Sequence, residues 1–300
     1  MTVILDPQAS TQPNLTTSQL KEPWKDIFNT AQSLAKQAGQ LKTMAKKLSS
    51  QDGYDSLKSL SKTLEKLEAL NLPDPELMTQ TRKATQKVQT WLEAEWDRRA
   101  REFSTELLTY FRERDVDAQL HDLTISVHPF TLEVQAAKDK VFLYYLGEEV
   151  AKAPLSSEKV FKQWQKSRDQ LEKNDTPPQA LLDLLERAYE EQLRLQQKSA
   201  GTRFRLSDLH FRLFVLRQTP QVRQDPRKAK VKEYPRYQFA YDLGLLLEQR
   251  GDGLTIETEE KRLAFHQASK SAAQSRSNSM QVEIGTDNVV AISDLDIVEL

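Results

Sequence analysis

Ten lysine and arginine side chains fall between residues 201 and 236, against three acidic ones, in a chain whose formal net charge is −1. They are Arg203, Arg205, Arg212, Arg217, Arg223, Arg227, Lys228, Lys230, Lys232 and Arg236, with Phe204, Phe211, Phe214, Tyr234 and Tyr237 set among them. Cations concentrated in this way neutralise phosphates and release counterions, and interleaved aromatic faces stack on bases. Type and spacing therefore point to a nucleic-acid backbone, with DNA as the expected partner. Arg223, Arg227, Lys228, Lys230 and Lys232 surround Pro226 and read as an exposed loop, whereas Arg205, Arg212 and Arg217 alternate with apolar residues and are expected partly to support the fold. The bland alternative is a solvated charged face.

Other chemistry is sparse. Asp242 or Asp252 followed by Glu259, Glu260 and Lys261 has the residue types of a divalent-metal nuclease, in which two carboxylates hold the ion and a lysine positions water. The run from Glu257 to Arg262 is almost wholly polar, which reads as a solvated turn. His121 and His128 lie seven residues apart in a strand-like region, a poor spacing for a shared metal, and His210 adds a proton-dependent donor within the basic segment. There is no glycine-rich phosphate loop, no G-x-S-x-G elbow and no H-E-x-x-H. The chain has no cysteine, which rules out disulfides, thiolate catalysis and Cys-based zinc sites. The expectation is a protein without cofactor or metal, and more a binder than an enzyme.

The side chains that do this work have to be positioned by a helix-rich scaffold. Across 300 residues, 38% are hydrophobic, 29% are charged and eight are glycine, with a mean hydropathy of −0.66. That profile supports a core in part of the chain and elongated, water-exposed helices elsewhere. The longest apolar run, 141–146, is far short of a membrane span, and the first fifteen residues lack a basic-then-apolar leader. The sequence predicts a soluble, cytoplasmic protein.

Heptads open the ordered chain. Trp24, Ala31, Ala38 and Ala45 recur every seven residues, each followed three positions later by Ile27, Leu34, Leu41 and Leu48. This is an a/d seam that calls for a partner helix. Leu57, Leu60, Leu64 and Leu67 resume it after a break at 49–53, and Asp74-Pro75 opens a long helix over 75–114 with Trp91, Leu92, Trp96, Phe103, Leu107 and Phe111 on its apolar face. Period-two alternation then predicts strands at 123–127, 130–134 and 140–146, helices at 156–173, 178–198 and 237–249, and three short strands at 254–257, 262–266 and 280–284. The order of helices and then strands around a polar loop is that of a winged-helix module. The acidic, apolar-studded end suits either a docking tail or a final strand.

The fold expectation is a mainly α protein. Residues 1–17 form a mobile N-terminal lead, 18–115 a coiled-coil-like helical bundle or arm, 116–284 a smaller α+β, winged-helix-like module bearing the basic segment 201–236, and 285–300 an acidic C-terminal tail. The functional expectation is a non-enzymatic, nucleic-acid-associated accessory or adaptor protein, its arm contacting other protein subunits or a second copy in a homodimer, with no membrane partner. The alternatives are a coiled-coil scaffold for an acidic protein and the divalent-metal nuclease.

Overall fold

The computed structural model describes residues 17–49, 56–70, 75–173, 176–225, 227, 231–275, 278–285 and 288–300; in the first helix it describes the side chains of Phe28 and Asn29 and those from Gln32 on. The protein is a mixed α+β molecule with two antiparallel sheets, in two compact units that divide between Arg99 and Ala100.

Three helices make the first unit: α1 (Thr17–Leu48), α2 (Leu57–Glu68) and the first part of α3 (Pro75–Arg112). Ser56 caps α2, its hydroxyl accepting from the Ser59 amide. Leu60, Leu64, Leu67 and Leu92 form a buried core, against which Leu41, Met44, Leu48, Val88 and Trp96 pack. Each fully buried leucine contributes about 1.5–3 kcal/mol, so this small cluster carries the unit. The heptad reading places only half of the seam correctly. Leu41 and Leu48 reach the core, whereas Ala38 and Ala45 face solvent and Leu34 is 37% exposed. One narrow leucine core satisfies a single stripe on α1, and a second, alanine-lined stripe has nothing to pack on within it. Trp24, Ile27, Ala31 and Asp74 lie outside the described side chains.

The second unit begins within α3, where Ala100, Phe103, Leu107 and Phe111 are buried. Phe111 meets Phe161 and Trp164 at centroid distances of 5.2 and 5.3 Å, which fixes α4 (Ser157–Glu172) on the end of α3. Between them lies a five-stranded meander: β1 (Gln119–His121), β2 (Thr124–Val127), β3 (Phe130–Gln135), β4 (Lys140–Tyr145) and β5 (Glu148–Pro154). β3 alternates buried and half-buried residues along its whole length, as a strand with one covered face must. Leu146 and Gly147, at φ 47° and 81°, form the two-residue turn from β4 to β5, and glycine supplies the second left-handed position without strain.

Helix α5 (Pro178–Gln196) leads to a second sheet. It contains β6 (Phe204–Arg205), β7 (Thr255–Glu257), β8 (Lys261–Gln267), β9 (Met280–Glu283) and β10 (Val289–Glu299), with helices α6 (Leu206–Leu216), α7 (Pro220–Gln224), α8 (Arg236–Arg250) and α9 (Lys270–Ala273) between them. The end of the chain is the strand of the two readings: β10 pairs β9 through Val289–Ile292, and β8 and β6 further along, shifting register between Ile292 and Asp294. Its apolar residues Ile292, Leu295 and Ile297 are buried. Helix α8 lies where both sheets are within reach: Tyr241 meets Tyr145 of β4 edge-on at 6.0 Å, and Gly244 touches the β9 backbone.

Candidate functional site

The ten basic residues divide between internal partners and solvent. Arg217 is the most sequestered, its side chain 8% exposed, its guanidinium 4.0 Å from the Asp242 carboxylate and 3.8 Å above the Tyr234 ring centre. At that separation the charges attract but no hydrogen bond forms, and Nη1 is left without a hydrogen-bond partner among the described residues. Arg236 pairs with Glu148 at 3.4 Å and donates to the Ser279 carbonyl. Arg212 donates to Gln192 at 3.1 Å, and Arg203 stands 3.5 Å from Asp296. Arg227 is exposed but paired with Asp225 at 3.1 Å. Arg205, Arg223 and Lys232 face solvent, and Lys228 and Lys230 lie outside the described residues. Of the aromatics, Phe204 and Tyr234 are buried and Phe211 is 60% exposed.

The internal members of this set make one polar network. The Tyr234 hydroxyl and Gln238 Nε2 both donate to Asp242 at 2.9 Å. His210 stacks on Phe239 at 5.1 Å and donates from Nε2 to the Tyr234 carbonyl at 2.9 Å. Gln218 donates to the Lys232 carbonyl and accepts from its amide. Burial, followed by the neighbouring Asp242 carboxylate, pushes the Tyr234 hydroxyl well above the ordinary phenol value. These bonds fasten the segment after α6 onto α8, so much of the sequence's positive charge is spent on internal architecture.

The nuclease-like residues also have other work. Asp242 belongs to the network just described, and Lys261 donates to Glu186 and Glu190 of α5, both at 3.1 Å. The hydrogen bond to Glu186 leads the effects that raise the Lys261 ammonium above its usual range. Asp252 sits in the turn before β7, bridged to Thr255. Among the described residues no three His, Asp or Glu side chains group closely enough to hold a metal ion. His121 and His128 are both exposed, on β1 and in the β2–β3 turn.

A different constellation stands out in the second unit. A cleft of 220 Å³ is lined by His128, Tyr145, Tyr241, Leu245, Glu248, Glu283 and Gly285, from the β2–β3 turn, β4, α8 and the end of β9. These residues span the chain from 128 to 285, and no periodicity or motif in the sequence groups them. In the first unit, Leu67, Leu70, Met78, Thr81, Arg82 and Thr85 line a groove of 340 Å³ between α2 and α3. The chain matches no family model, no curated protein and no solved structure.

Proposed function

We propose that the protein is a non-enzymatic adaptor whose N-terminal helices act as a coiled-coil-like arm for contacts with other protein subunits. The observation that carries this reading is the exposure of large apolar side chains on the long helices: Phe28 at 65% and Leu34 on α1, and Leu77 and Trp91 on α3 at 41% and 43%. Single exposed leucines are ordinary, but here two helices of one small unit leave phenylalanine, leucine and tryptophan in water while their other faces supply its core. A helix with an apolar stripe is the partner chemistry that suits them. Photo-crosslinking residues placed at Leu34 and Trp91 in the source cells should trap protein, while one at the exposed Lys83 should not. Equal trapping at all three positions would remove the support.

The nucleic-acid reading continues as a second proposal because Arg205 and Arg223 are exposed without an ion-pair partner among the described residues, and Phe211 is exposed in the same segment. Arg227 and Lys232 also face solvent. In this reading the winged-helix-like part is α8 with β7 and β8, the polar stretch after β8 taking the place of a wing. Charge removal at Arg205, Arg223, Arg227 and Lys232 should weaken binding to unrelated oligonucleotides alike and flatten the dependence of log affinity on log salt by roughly one unit per lost contact. Fluorescence anisotropy at several salt concentrations measures both quantities, and no binding at low salt ends this reading.

A further inference from the structure

We propose that the cleft between the β2–β3 turn, β4, α8 and β9 recognises an organic cation of side-chain size, an alkylammonium or guanidinium group. This site lies in the second unit and does not depend on the helical arm or the basic segment.

The first argument is charge. Glu248 and Glu283 both line the cleft, and no lysine or arginine is among its lining residues. The tyrosine hydroxyls register the resulting field. Burial raises Tyr145 above the ordinary phenol value, with Glu283 next in effect, and Tyr241 is raised by burial and then by Glu172, Asp242, Glu248 and Glu283, all of them negative. An anion would meet two carboxylates here, and a neutral apolar ligand would strip water from them without return.

The second argument is an unmet hydrogen bond. Tyr145 is 1% exposed, yet its hydroxyl has no hydrogen-bond partner among the described residues. A buried hydroxyl without a partner costs about 1–3 kcal/mol, and an N–H donor entering the cleft would let its oxygen accept. Third, the rings of Tyr145 and Tyr241 meet at 72° with centres 6.0 Å apart, presenting aromatic surface at two angles. Such surface attracts ammonium and guanidinium groups through the ring quadrupole. The turn at Gly285, φ 67°, comes close enough to Glu248 that a side-chain carbon there would be 3.8 Å from its Oε1. That leaves the exposed Glu248 carboxylate at the mouth. A volume of 220 Å³ suits the end of a lysine or arginine side chain or a small amine. A bare metal ion is disfavoured, because among the described residues no three carboxylate or imidazole groups gather to hold one.

Calorimetric titration of the full chain tests the assignment, with n-butylammonium, n-butylguanidinium, the neutral n-butanol and manganese chloride as probes. One or both organic cations should saturate a single site while n-butanol does not. Glu248→Gln should weaken that binding about tenfold or more, as expected for losing one ionic contact at a partly screened site. Because Glu248 is exposed, the variant should melt like the parent. Tyr145→Phe deletes only the unpaired hydroxyl and should weaken binding a second time. Capped tripeptides centred on lysine or arginine separate the two sources of the cation: tighter binding than the butyl probes identifies a side chain presented by a partner, and weaker binding a free amine. Absence of saturable organic-cation binding, equal binding in both variants, or binding of manganese alone would overturn the proposal.

Discussion

A side-chain carbon on Gly244 would stand 2.1 Å from the carbonyl oxygen of Glu283, and it is this glycine that lets α8 lie directly on the β9 backbone. The same approach holds Glu283 beside Tyr241 at the cleft. Gly244→Ala therefore forces the helix and strand apart, and backbone is the atom in the way, so no flexible side chain can yield. Overpacking of this kind costs about 1–3 kcal/mol after any gain in helix propensity. Gly39 of α1 has nothing within 4 Å of the same position. There, Gly39→Ala should stabilise by about 0.5–1 kcal/mol. Urea melts of the two variants should move in opposite directions, and a shift of like sign would refute the account of Gly244.

Asp242 is 3% exposed and sits between the Tyr234 hydroxyl, Gln238 and the buried Arg217 guanidinium. Asp242→Ala leaves that guanidinium buried without its counter-charge, at a cost of about 3–5 kcal/mol. Adding Arg217→Met to it removes the orphaned charge and should recover a large part of the loss. A double-mutant cycle in urea reads the coupling directly. If the two losses simply add, Arg217 and Asp242 are independent and the network is not what fastens the segment after α6.

His210 gives the network a pH dependence. Burial is the leading cause that lowers its imidazole below the ordinary value of 6.5; the Tyr234 carbonyl acts the other way, and the Arg236 charge adds to the lowering. The folded state thus prefers the neutral ring while the unfolded chain binds a proton near pH 6.5. The stabilisation is complete above that value and is lost as pH falls through the folded pKa. His210→Gln retains a donor for the Tyr234 carbonyl but does not titrate, so the difference in urea midpoint between parent and variant should change as pH falls below about 6.5. A constant difference from about pH 8 to pH 5 would show that His210 does not titrate differently in the folded and unfolded states.

Elements with a dominant period were readable from the sequence, and the candidate sites were not. The leucines of α2 and the alternation of β3 each reflect one neighbour on one face, so spacing suffices to find them. Strand β5, Glu148-Glu149-Val150-Ala151-Lys152-Ala153-Pro154, has one buried residue and no apolar rhythm; it is a strand because β4 lies beside it. Helix α6 was hidden by its arginines, since charge drew the eye from Leu206, Leu209 and Leu213, which are all buried. The sequence exposes the charge of Arg217 or Arg236 but not the carboxylates across from them, Asp242 and Glu148, which only the fold brings near. The cleft was illegible for the same reason: tertiary structure alone joins His128, Tyr145, Glu248 and Glu283.

Leu34 and Leu41 occupy equivalent heptad positions, yet they make opposite predictions. Leu41 packs against the core of Leu60, Leu64, Leu67 and Leu92, whereas Leu34, one heptad earlier, is exposed. Leu41→Asp sets a carboxylate against four buried leucines with nothing to pair it, and should cost about 2 kcal/mol or more. Leu34→Asp puts the same charge in water and should leave the melting curve unchanged while abolishing photo-crosslinking from Trp91. Helical circular dichroism on heating separates the two effects. Equal destabilisation by both would mean that Leu34 is packed in the free protein, leaving no apolar stripe on α1 for a partner and removing the arm from the proposed function.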